Sequence, residues 1–153
     1  MHNMESEKLS KTYTNALEKL GEELLEIQFD FKIKNKPSEE YWANRTEQFK
    51  KYHEKVLEYF TQGYSFMNLI NKEDSSMFLL KISKLKQLGL RLIECMEEVK
   101  RNPAVMDLKD RQQSKWSIIQ RENLINSNND CLNQEKHMNI FFREFFEKNR
   151  NDQ

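Results

Sequence analysis

The sequence predicts an all-α fold, an antiparallel bundle of four long helices. Three observations carry that prediction. Only three Gly and two Pro occur in 153 residues, too little turn chemistry for a β-protein. The apolar fraction is 37%, below the ~45–50% usual in globular domains, yet ten Phe, five Tyr and two Trp argue against disorder, which is poor in aromatics. Apolar residues also recur every third or fourth position, the spacing that gathers side chains on one side of a helix. Long helices that each bury one stripe reconcile a low apolar content with many rings.

The first helix is expected over 6–33, with the stripe Leu9, Tyr13, Ala16/Leu17, Leu20, Leu24, Ile27 and Phe31. Ser6 or Ser10 can cap its start. Lys32, Lys34 and Lys36 collect at its end, where the helix dipole favours cations. Gly21 lies inside the run, either for a close helix crossing or simply tolerated. Pro37 disfavours helical geometry at Lys36 and makes the first break.

Ser38 then caps a second helix, with Glu39 and Glu40 in its first turn. Its stripe reads Trp42, Arg45, Phe49, Tyr52, Val56, Tyr59, Gly63, Phe66 and Ile70. Leu57, Phe60, Tyr64 and Met67 widen it, so more than one neighbour must cover it. This helix is the one around which the chain is organised. Gly63, within the stripe, implies a bulky neighbour or a slight bend.

The polar run 71–76 predicts a tight turn that folds the third helix back antiparallel, with Asp74 or Ser75 as its cap. That helix is expected over 77–101, with the stripe Phe78, Ile82, Leu85, Gly89, Leu92, Met96 and Val99. Lys81, Lys84, Lys86 and Arg91 occupy its other side.

Asn102-Pro103 reads as the cap and first residue of the last helix. Val105, Met106 and Leu108 start it, and Trp116, Ile118, Ile119, Leu124 and Ile125 follow. Ser127 to Asp130 is either a break, with Ser127 and Asp130 spaced as a capping box, or an exposed stretch in mid-helix. The pattern resumes through Cys131, Met138 and the rings of 141–146. The whole chain, 1–153, reads as a single domain with loose ends at about 1–5 and 149–153.

Charge bounds the partners. Lys plus Arg and Asp plus Glu number 25 each, whereas a nucleic-acid binder usually has a basic excess. Two basic groups, Lys32/Lys34/Lys36 and Lys81/Lys84/Lys86, keep a membrane surface or nucleic acid as the alternative partner. The first eight residues lack the apolar core of a signal peptide, and no run of about 18 apolar residues is present. A cytoplasmic protein is the expectation. Asn44-Arg45-Thr46 matches a glycosylation sequon and is read there as coincidence. Cys95 and Cys131, outside any CxxC spacing, read as free thiols in a reducing compartment.

No motif for catalysis stands out. The residues three before His53 and His137 are Lys50 and Gln134, so the Glu-x-x-His pairs of helical di-metal sites are missing. Both histidines therefore read as surface residues, with no metal and no cofactor expected. Glu94 and Glu97 beside Cys95, and Asp130 beside Cys131, raise a thiol pKa, the wrong direction for a nucleophile. The three isolated glycines form no phosphate loop.

The expected function is therefore a non-catalytic protein–protein interaction module, an adaptor, scaffold or assembly subunit that presents helix faces to a partner or to its own copy. Phe141, Phe142, Phe145 and Phe146 lie on one strip of the last helix. They are candidate contacts, with Trp116, because aromatic residues dominate binding hot spots; the competing use is core packing. A third reading is a small-ligand carrier or enzyme with a pocket in the bundle core, lined by Tyr52, Tyr59 and Tyr64.

Overall fold

Buried residues on the second and third helices alternate at three- and four-residue intervals from end to end, and this periodicity organises the fold. The computed structural model describes residues 4–26, 38–106 and 114–150. Four helices are present: α1 (Met4–Glu26), α2 (Glu39–Ile70), α3 (Lys72–Arg101) and α4 (Lys115–Arg150), with a 3-10 turn at Pro103–Met106 between the last two. No strand occurs among the described residues. The chain is an all-α helical bundle, as its composition and spacing predict. No described helix is long and apolar enough to cross a membrane.

Sequence-distant contacts show the direction of each helix. Glu23 pairs with Lys55 while Gly21 faces Tyr59, and Lys50 pairs with Glu97 while Gly89 faces His53. Gln134 bonds the Lys81 carbonyl, and Cys95 meets Ser127. Each neighbouring pair is thus antiparallel, so α2 and α4 run the same way. The main packing is α1 on α2, α2 on α3 and α3 on α4.

Two apolar clusters fill the interior. One joins Phe60, Phe66, Met67, Phe78, Met138 and Phe142, with Leu17 from α1. The other joins Trp42, Phe49, Leu92, Met96, Val105 and Leu124. The parallel course of α2 and α4 puts Trp42 in one cluster with Val105, and the rings of 142–146 beside the end of α2.

The breaks are shorter than the polar runs suggest. Asn71 alone is the turn between α2 and α3. Its backbone N–H closes α2 onto the Met67 carbonyl at 2.8 Å, and its Oδ1 accepts from the N–H groups of Glu73 and Asp74 at 3.1 Å each. Neither Asp74 nor Ser75 is the cap, and α3 begins at Lys72 rather than Met77. Ser75 is buried and donates to the Asn68 side chain at 3.1 Å. At the other break, Asn102 ends α3, and Val105 and Met106 are buried in the 3-10 turn instead of opening the last helix. Ser114 starts α4, its Oγ accepting from the Ser117 N–H at 3.2 Å.

α4 is unbroken across 127–130. Ser127 and Asn128 are buried there, and so are Gln134 and Glu135 two turns later. With Leu124, Cys131, Met138, Phe142 and Phe145 they make one continuous stripe. The polar residues thus occupy core positions rather than a break. α2 shows the same substitution of polar for apolar: Thr46 and His53 are buried, while Arg45, Tyr52 and Tyr59 are half-buried on the flank and Ile70 is exposed. The Thr46 hydroxyl is satisfied by the Trp42 carbonyl at 2.7 Å. α1 ends its description at Glu26, so Ile27 to Ile33 and Lys32, Lys34 and Lys36 lie outside the described residues, as do 1–3 and 151–153.

Two stripe glycines face rings. A Cβ on Gly63 would lie 3.1 Å from Phe142 Cε2, so Gly63 makes room for a bulky neighbour, one of the two roles its position implied. A Cβ on Gly89 would overlap the imidazole of His53.

Candidate functional site

The aromatic strip of α4 divides among three environments. Phe142 and Phe145 are buried in the core. Phe141 turns toward α3, stacking on Phe78 with centroids 5.8 Å apart, and the Lys81 ammonium lies 5.2 Å from its ring centre. Phe146 points into solvent at 38% exposure, yet stacks on Phe66 at 5.1 Å and meets Phe142 edge-on at 4.7 Å. Side chains one helical position apart diverge by 100°, so four rings in a row need not share a surface.

Phe142, Phe145 and Phe146, but not Phe141, wall a cleft of about 700 Å³ at the end of the bundle where α2 finishes. Tyr59, Phe66 and Ile70 come from α2, and Phe142, Phe145 and Phe146 from α4, with Arg143 and Glu147 beside them. The volume lies within the ~300–1,000 Å³ of recognised binding clefts. The floor is closely packed: Phe142 lies against Gly63, and Phe145 is edge-on to Phe66 at 6.3 Å. Ile70, named in the α2 stripe, stands at the rim.

Trp116 is not part of this cleft. It is 48% exposed in the first turn of α4, some 26 residues before Phe142, or about 39 Å along the axis at 1.5 Å per residue. Ile118 and Ile119 are exposed beside it. Lys84 and Lys86 are exposed on α3. Lys81 is half-buried, with its ammonium 3.4 Å from His137 Nε2.

His53 is the clear departure from expectation. It is 5% exposed, not a surface residue. Its ring stacks on Phe49 at 5.3 Å, and neither nitrogen has a hydrogen-bond partner among the described residues. Burial alone pulls its pKa down to about 4, so the ring is neutral at pH 7. His137 is exposed, as expected.

A polar belt crosses the bundle near His53. The Tyr52 hydroxyl donates to Glu135 Oε2 at 3.0 Å. Burial raises the Glu135 carboxyl to about 7, against the opposing effect of the Tyr52 bond, and drives the Tyr52 phenol well above its ordinary value. Cys131, one turn from Glu135, is pushed up to about 12 by burial first and then by the charges of Glu135 and Asp130. Both cysteines are free, Cys131 buried and Cys95 half-buried. Among the described residues no three His, Cys, Asp or Glu side chains converge as metal ligands.

Against protein-family models, curated proteins and solved structures alike, the chain shows no match. The site must be read from its own geometry.

Proposed function

We propose that this protein is a non-catalytic interaction module that seats an apolar helix face of a partner protein, or of a second copy, in the cleft between the ends of α2 and α4. The observation that supports this reading most is the exposed ring of Phe146, packed on Phe66 and Phe142 and beside Ile70, over a cleft of about 700 Å³. Phe146 is one of the four rings that the α4 spacing singles out. Large aromatic side chains held in place lose little entropy on binding and dominate hot spots. Phe142 and Phe145 contribute indirectly, as the packed floor that holds Phe146.

The test uses rim positions, not core ones. Ile70→Asp with Phe146→Asp places two charges in the cleft while leaving Phe142 and Phe145 in the core. The doubly substituted chain is expected to keep its helical circular dichroism and to lose association, whether with its own copy in light scattering or with a partner isolated on the wild-type chain. A wild-type chain that neither self-associates nor holds any partner through these two residues would remove the reading.

A further inference from the structure

Beside the aromatic cleft lies a second, smaller cavity of about 220 Å³ between α1, α2 and α4. Gly21 of α1, Tyr52, Tyr59 and Phe60 of α2, and Glu135 and Asn139 of α4 line it. Beside the apolar Leu24 and Val56, one carboxyl, one carboxamide and three aromatic rings line it, around a space smaller than the ~300–1,000 Å³ of sites for drug-sized ligands.

Glu135 is only 9% exposed, and its one hydrogen bond among the described residues is from the Tyr52 hydroxyl. No Lys or Arg among the described residues lies within ion-pair distance of it. Once ionised, above about pH 7, a carboxylate buried to this extent ordinarily requires a paired charge or several donors. Here Oε2 is bonded while the residue lines an accessible space. Aromatic side chains with a carboxylate form the lining that accepts an organic cation, through ring quadrupoles and a charge-assisted hydrogen bond. Gly21 keeps the wall open. A Cβ there would stand 3.9 Å from Tyr59 Cε2, so α1 and α2 do not need a glycine to approach each other.

We propose that this cavity binds a small alkylammonium ion, with the ammonium on Glu135 and Asn139 and the alkyl chain against Tyr52, Tyr59 and Phe60. The site is independent of the protein-docking reading. It shares Tyr59 and Asn139 with the larger cleft but neither Ile70 nor Phe146.

The experiment titrates n-butylammonium chloride into the full chain at constant ionic strength, at a pH above 7 so that the Glu135 carboxyl is ionised, and follows binding by calorimetry and by the ring-proton shifts of Tyr52 and Tyr59. Butanol, of similar size and no charge, serves as the control. Butylammonium is expected to bind at millimolar concentration or better, and butanol at least about tenfold more weakly, the loss of one charge-assisted bond. Glu135→Gln, which keeps the side-chain shape and an acceptor for Tyr52, is expected to remove the preference for the cation. Gly21→Leu fills the cavity, leaves the carboxyl in place and is expected to abolish binding. Ile70→Asp with Phe146→Asp is expected to leave it unchanged, which separates this site from the cleft. Equal binding by wild type and Glu135→Gln, equal binding of butanol and butylammonium, or no response to butylammonium in a folded wild-type chain overturns the proposal.

Discussion

A histidine with two unbonded nitrogens is tolerated only if its ring stays neutral and its space is reserved. Gly89 reserves the space at His53. Gly89→Ala sets a methyl into the imidazole and is expected to destabilise by about 1–3 kcal/mol, the usual cost of overpacking, even though alanine is the better helix former. His53→Ala in the same chain should recover part of that loss, and denaturant midpoints around the double-mutant cycle measure the coupling. The pH behaviour follows from two opposed residues. His53 is depressed from 6.5 to about 4, so the unfolded chain binds the extra proton and stability falls as the pH drops from 6.5 toward 4. Glu135 is raised from 4.5 to about 7, so its contribution is complete below 4.5 and is lost as the pH rises through 7. Each swing is worth about 3 kcal/mol, and across 4.5 to 6.5 they largely cancel. Glu135→Gln removes one of them. It is expected to raise stability above pH 7 by up to about 3 kcal/mol and to expose the acid loss due to His53, as read from denaturation midpoints across that range. A wild-type profile as steep as that of Glu135→Gln would contradict this balance.

At the scale of the helices, apolar spacing located α2 and α3 well. Every member of the predicted α3 stripe is buried, because each core position from Phe78 onward holds an apolar residue or glycine; only Ser75, in the first turn, is polar and buried. α4 was harder to read for a physical reason: Ser127, Asn128, Gln134 and Glu135 sit at core positions. A search for apolar residues sees gaps there, although the three–four rhythm is intact once polar residues are admitted. The same substitution by Thr46 and His53 rotated the predicted α2 stripe toward Arg45, Tyr52 and Tyr59. Turn lengths were overestimated because a polar run can be the exposed first turn of a helix as easily as a loop. One asparagine, bonding in both directions, suffices between α2 and α3. Continuity of α4 has a direct check. Asn129 is exposed in mid-helix, so Asn129→Pro removes a helical bond and is expected to cost about 3 kcal/mol or more, read as a lowered Tm. A loss under about 0.5 kcal/mol, the scale of an ordinary surface substitution, would indicate the break that the polar cluster suggested.

For the whole molecule, the division of labour among the α4 rings was only partly legible. Sequence spacing singles out the strip but not the direction of each ring, which depends on the parallel course of α2 and α4. That course seats Phe142 over Gly63 and leaves Phe146 at a rim with Ile70. The Glu135 cavity left no motif, because its residues lie on three helices and meet only through packing. The bundle thus packs Phe142 and Phe145 into its core and leaves an aromatic cleft open at the end of α2. The most direct test of that cleft is the mass of the chain and its complexes by light scattering, for wild type and for Ile70→Asp with Phe146→Asp, beside circular dichroism of both. The account predicts a wild-type assembly heavier than one chain, and a substituted chain that is equally helical but alone. Equal masses for the two, with any partner retained, would contradict it.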